Sequence, residues 1–266
     1  MQFTNKTILI TGGATGIGFA LAQVLAKQNN KVIITGRRLD KLKEAESLIP
    51  GLQYYQGDVS EPASIDSLFA QLKQQGLVLD VVFNNAGVLE IWNILEQTIP
   101  TADLFTKIST NLTGPIAVTQ SFIRQADHRK KNYIINITTE AAIMPIPILP
   151  LYSSSKAGLS AFTKALRIQL RHSNFSVVEI VPPAVESKMT TEDINNSTKL
   201  VQPSVFARQV IEKIEAGKLE FAPSSNARSL KIIRRFFPKA GLRMIDKMSR
   251  KQLLGSQGKA QSRKEF

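Results

Sequence analysis

The chain of 266 residues contains no cysteine, which excludes disulfides and thiolate chemistry. Its 43% hydrophobic content supports a sizeable core in one generous α/β domain or two small ones, and no run of 18 apolar residues is present to span a bilayer. The net charge of +13 is concentrated: residues 224–266 hold 12 Lys or Arg against Asp246 and Glu265, so the rest is nearly balanced. No Pro/Gly/Ser-rich linker and no solenoid-period repeat divides the chain. A first strand beginning by Thr7 is read as leaving no room for a signal peptide.

Strands are predicted near 7–11, 31–35, 53–56, 78–84, 133–138, 176–181 and 219–222. Helices are predicted near 16–28, 39–48, 62–75, 102–126, 152–172 and 204–216. This alternation predicts an α/β, doubly wound parallel sheet of seven strands over residues 1–222, with ligands at the carboxyl ends of the strands.

The apolar run Thr7-Ile8-Leu9-Ile10 leads into Thr11-Gly12-Gly13-Ala14-Thr15-Gly16-Ile17-Gly18. A glycine turn between strand and helix is a site for a dinucleotide phosphate. Gly12 turns the chain, Gly16 lets backbone N–H groups approach the pyrophosphate, and Gly18 lets the helix pack close. Thr15 and Ile17 flank that approach. The plain alternative is an ordinary turn.

The second strand ends in Gly36-Arg37-Arg38, where dinucleotide sites that take NAD carry an acid. A guanidinium pairs with a 2′-phosphate, so Arg37 and Arg38 point to NADP(H) over NAD(H). The alternative is a solvated basic pair at a helix start. Asp58 and Val59 follow the third strand, Asp58 placed to accept from the adenine amino group. Asn85-Ala86-Gly87 follow the fourth, Thr139 the fifth, and Pro182-Pro183-Ala184-Val185-Glu186 the sixth. The proline-broken run Ala141 to Leu151 reads as a loop or lid. No His, Cys or carboxylate cluster is read as a metal site.

Tyr152 and Lys156 stand four apart on one face of a predicted helix. An ammonium beside a phenol favours the phenolate, so Lys156 is expected to lower the Tyr152 pKa toward neutrality and make it an acid/base.

The glycine turn, Asn85-Ala86-Gly87 and Tyr152-Ser153-Ser154-Ser155-Lys156, in this order, resemble the short-chain dehydrogenase/reductase family over roughly residues 5–222. Pro182-Pro183 and the basic tail resemble its bacterial DltE-like branch. The resemblance implies a Rossmann fold and an oxidoreductase passing a hydride between a nicotinamide and a carbonyl or alcohol. It implies that Tyr152 is the acid/base, that Lys156 also holds the nicotinamide ribose, and that Asn111 kinks a helix and holds a relay water. It implies that Asn85, Ala86 and Gly87 pack beneath the cofactor, and that Pro182 and Val185 line the nicotinamide. The family usually has a Ser where this chain has Thr139, which keeps the hydroxyl and adds a methyl. It usually has Pro-Gly and then a Thr where Pro183 and Glu186 stand.

Ile91, Trp92, Ile143, Met144, Ile146, Ile148, Leu149 and Met189 point to an apolar or lipid-like substrate, the alternative being core or a subunit interface. Helix 157–170 carries apolar residues on more than one stripe, and the resemblance implies a homo-oligomer (dimer or tetramer) through it. Residues 223–254 read as a basic amphipathic helical extension, with stripes Leu230, Ile233, Phe237 and then Leu242, Ile245, Met248. Residues 255–266 read as disordered. Such an extension fits an anionic membrane surface, a protein interface or lid, or a solubilising tail; no base-stacking platform supports nucleic acid. The location expected is cytoplasmic, with peripheral contact at the inner membrane face. A second functional reading is a catalytically weak cofactor-binding sensor or accessory protein tethered by the tail.

Overall fold

The computed structural model describes residues 3–186 and 200–247. Seven parallel strands form one sheet: β1 Thr7–Thr11, β2 Lys31–Gly36, β3 Gln53–Gln56, β4 Val81–Asn84, β5 Asn132–Ile137, β6 Phe175–Ile180 and β7 Glu220–Phe221, in the order β3-β2-β1-β4-β5-β6-β7. The chain runs outward from β1 to β3 and then returns to the other side of β1 at β4. Ligand sites of open α/β sheets form at this reversal.

Side chains alternate across each strand, and helices cover both faces, so both sets are buried. Ile8, Ile10 and Ile34 join a core with Leu21 and Leu25 of α1 (Gly16–Ala26) and Phe206 and Val210 of α7 (Pro203–Glu215). Leu9, Ile33, Val82 and Ile134 join the opposite core. Its helices are α3 (Pro62–Gln74), α5 (Gly114–Gln125) and α6 (Pro150–Gln169), which contribute Phe69, Phe122 and Leu166. Helix α2 is Leu39–Leu48 and α4 is Thr101–Ile108.

Several features differ from the sequence reading for physical reasons. The fourth strand begins at Val81 rather than 78, because Leu77 N–H still bonds Leu72 O of α3 and Val78 is exposed. Asp80 then takes the Thr7 N–H on its carboxylate at 2.9 Å, just ahead of the pairing. Helix 102–126 is interrupted by a π-helical turn, Ser109–Thr113. Helix α6 starts at Pro150, since proline needs no N–H in a first turn. The Ala141–Leu151 run is no free lid: Ala141, Ala142, Ile143, Met144, Ile148 and Leu149 are buried.

Beyond β7, helix α8 (Ser225–Phe236) and helical residues 238–247 lie on the body. The Ser224 hydroxyl caps α8 and donates to the Glu140 carboxylate. Arg234 donates to Ile143 O at 3.0 Å and to Ala142 O. Ala227, Leu230, Ile233 and Ile245 pack on Ile143, Met144 and Val181. The expected stripe of Leu230, Ile233 and Phe237 is thereby split. The first two residues face inward, whereas Phe237, at the break before Pro238, is exposed. Ser187, Met189, Met248 and residues 255–266 lie outside the described residues.

Candidate active site

Strand β1 delivers the chain to a turn in which Gly12 and Gly16 have φ of +64° and +58°, values that side-chain-bearing residues rarely adopt. Space is as restrictive as angle. A methyl on Gly18 would lie 2.3 Å from Gly12 O, and one on Gly13 would lie 2.4 Å from the Ile34 side chain. Thr15 precedes α1 without capping it, and the first turn of α1 carries no acid. The free N–H groups and positive end of the helix dipole therefore remain for an anion. Ile17 packs against the core.

The Asn85 amide braces this turn by donating to Thr11 O at 3.0 Å and Gly12 O at 3.1 Å. The Thr11 hydroxyl accepts the N–H groups of Asn85 and Ala86, both at 3.1 Å. These bonds tie Asn85 and Ala86 to the end of β1. Thr11 had gone unrecognised, as a strand-end threonine carries no signal of its own. Beneath them, a buried polar chain runs from Thr119 through Asn84 and Asn136 to Thr163, tying β4 and β5 to their helices.

At the end of β2 the two arginines diverge. Arg38 reaches toward the glycine turn, its guanidinium 3.5 Å from the Thr15 hydroxyl. Arg37 lies 3.8 Å from the Asp58 carboxylate. Asp58 also accepts from the Ser60 N–H and hydroxyl. Val59 is buried, and its carbonyl would lie 2.3 Å from a methyl on Gly114.

Asn111 sits in the π-helical turn with its amide clamped to one residue. It donates to Val88 O at 2.8 Å and accepts the Val88 N–H at 2.9 Å. A methyl on Gly87 would lie 3.2 Å from Asn111 Oδ1 and 3.4 Å from Lys156 Nζ, so Gly87 brings the two together. Lys156 is buried and donates to Ile137 O at 2.9 Å. Burial pulls its pKa down to about 8, because the charged form loses its hydration.

Thr139, two residues beyond β5, stands beside Tyr152 with its hydroxyl near enough to favour the phenolate. The Thr139 oxygen accepts the Ala141 N–H at 3.3 Å, which leaves its own proton free for donation. Thr138 points the other way, donating to buried Glu179 at 3.1 Å. The expectation that Lys156 lowers the Tyr152 pKa is overturned. Burial raises it, and the Thr139 hydrogen bond offsets that only in part. The Lys156 ammonium is turned to Ile137 O.

A cavity of about 10 Å³, room for about one water, lies beside Tyr152. Val88, Trp92, Ile99, Asn111 and Leu151 enclose it together with Glu90 and Lys107, which pair at 3.2 Å. This ion pair escaped the sequence reading because nothing in a 17-residue separation signals contact. Of the expected substrate-side residues, Trp92 borders this cavity. Ile143 and Met144 instead pack under the C-terminal helices. Pro182 is buried, and Val185 turns its side chain into the core while its neighbours Ala184 and Glu186 bond Val201.

The glycine turn, the braced strand ends and the Thr139–Tyr152–Lys156 cluster thus converge at the sheet reversal. Residues 6–198 match a family model described as short chain dehydrogenase. The chain belongs to the short-chain dehydrogenase family. It is 29% identical over 226 residues to the uncharacterized oxidoreductase DltE of Bacillus subtilis, covering 83% of this chain and 88% of that one. It is 30% identical over 226 residues to human 17-beta-hydroxysteroid dehydrogenase type 3, covering 82% and 71%. Among solved structures, an actinorhodin polyketide ketoreductase variant with NADPH superposes with a TM-score of 0.74 at 25% identity, covering 81% of this chain and 94% of that one. The protein is therefore an oxidoreductase of the NAD(P)-dependent short-chain type, acting on CH–OH or C=O groups. Among the described residues no helix is long and apolar enough to cross a membrane.

Proposed function

We propose that the protein uses NADP(H) to reduce the carbonyl of an apolar or lipid-like substrate, with Tyr152 as the proton donor. The observation that carries this reading is half-buried Tyr152 one helical turn from buried Lys156, which is anchored on Ile137 O, with the Thr139 hydroxyl beside the phenol. The nicotinamide, when bound, supplies the hydride. The turn at Gly12, Gly16 and Gly18, with the open N-terminus of α1, fits its pyrophosphate. Arg37 and Arg38 flank the end of β2, where a 2′-phosphate would meet them. Asp58, Val59, Asn85, Ala86 and Gly87 continue that cradle, with Pro182 and Val185 at its nicotinamide end.

In this reading the Tyr152 phenol, neutral at physiological pH, donates its proton to the substrate oxygen, and Thr139 donates into the phenolate left behind. Lys156, with its pKa near 8, can return a proton to Tyr152. Asn111 holds the Val88 backbone that borders the proton path. The apolar side chains of Val88, Trp92, Ile99 and Leu151 beside Tyr152 support an apolar substrate, and the Glu90–Lys107 pair supports one polar group on it.

Turnover of NADPH and NADH with a panel of apolar aldehydes and ketones tests the proposal. Tyr152→Phe is expected to lower kcat by at least about 100-fold, the typical contribution of a general acid, with NADPH affinity unchanged. Undiminished turnover in that variant removes Tyr152 as the donor. Helix α6 buries Leu159, Thr163 and Leu166 but exposes Ala157, Ala161 and Ile168, and we read that outer face as a contact between copies of this chain.

A further inference from the structure

Helix α8 has two apolar faces, of which one is packed on the body among the described residues. At 3.6 residues per turn, Ala227, Leu230 and Arg234 share the side docked on the body. Ile232 and Phe236 share the opposite side, 57% and 64% exposed. Arg228 and Arg235 border that outer stripe, and the Arg235 guanidinium lies 5.7 Å from the Phe236 ring. In helical residues 238–247, Gly241 and Ile245 turn inward. Lys239, Arg243 and Lys247 point outward, with exposed Leu242 and Met244 at their flanks. Phe237, exposed at the break, joins the two apolar strips. Between residues 224 and 247 the single acid is half-buried Asp246.

We infer that this outward face docks on the surface of an anionic lipid bilayer. An amphipathic helix lies in a membrane interface when aromatic and aliphatic side chains enter the acyl boundary while flanking Lys and Arg meet anionic headgroups. Here the inner contacts dock the helices on the body, so the face is formed before binding and its folding cost is not incurred then. The charge is of the right sign, since described residues 224–247 carry seven Lys or Arg against Asp246. The inner side of α8 bonds the carbonyls of Ala142 and Ile143, three and four residues beyond Thr139. The bilayer would meet the protein one helix thickness, about 10 Å, from the segment that carries Thr139.

The test is sedimentation of the full chain with vesicles of phosphatidylcholine alone and of phosphatidylcholine with about one-third phosphatidylglycerol. Binding is expected only to the anionic vesicles, and it should weaken steeply with salt. Ile232→Ser with Phe236→Ser should weaken partitioning by at least about tenfold, and Arg228→Gln with Arg235→Gln by about tenfold or more. Both variants should keep the parent's melting temperature, because these side chains are exposed. The inference is overturned by absence of binding to phosphatidylglycerol vesicles, or by parental binding of the Ile232→Ser/Phe236→Ser variant. It is equally overturned if that variant merely splits a dimer of the parent in size-exclusion chromatography while vesicle binding is absent, which assigns the face to a second copy.

Discussion

Lys156 offers the sharpest test of the electrostatics, because the structure makes it a cost to folding. Its ammonium is buried, it donates to one carbonyl at 2.9 Å, and its pKa falls from 10.5 to about 8. The unfolded chain binds this proton more tightly than the folded one, so the penalty is complete below about pH 8. It is lifted as pH rises toward the unfolded value. At about 1.4 kcal/mol per pH unit, the drop corresponds to about 3 kcal/mol of lost stability near pH 7. Lys156→Met keeps the stem's volume and removes the charge. Urea unfolding of parent and variant should show the variant more stable by up to about 3 kcal/mol near pH 7. That advantage should shrink by about 2 kcal/mol by pH 9.5. Groups that titrate alike in both proteins cancel in the difference. A pH-independent difference, or a variant less stable at pH 7 than at pH 9.5 relative to the parent, would refute the claim that desolvation governs this lysine.

Thr139→Ala, which removes the proton donated into the phenol, should lower kcat by about 10- to 1000-fold, whereas Thr139→Ser should keep parental activity; steady-state assays decide. Replacing Arg37 and Arg38 together by Leu should raise the KM for NADPH by about 10- to 100-fold and leave that for NADH unchanged. Equal losses for both cofactors would argue against 2′-phosphate pairing. Gly18→Ala places a methyl 2.3 Å from the Gly12 carbonyl, so α1 must shift. A loss of about 1–3 kcal/mol in urea unfolding, with NADPH binding weakened in fluorescence titration, is expected.

The sequence by itself determined the sheet and the strand ends at which the chemistry gathers. That was possible because strand and helix periods are local, and because Gly12, Gly16 and Gly18 answer to backbone angles and close approaches within one turn. Tyr152 and Lys156 were legible for the same reason: four residues on a helix define a shared face without further information. What they do to one another was not legible. Whether the phenol rises or falls depends on burial and on the direction of a lysine head group, and both are set by β5 and the π-helical turn. The same holds for the Asn111 clamp on Val88 and the Glu90–Lys107 pair, which join segments that no local pattern relates. The tail shows the division most clearly. Its amphipathic, basic character was written in the residue order, yet Leu230 and Ile233 could have faced a membrane as readily as the body. Only packing against Ile143, Met144 and Val181 decided which apolar face was consumed and left Ile232 and Phe236 outside, because a helix with two apolar faces carries no internal preference for either.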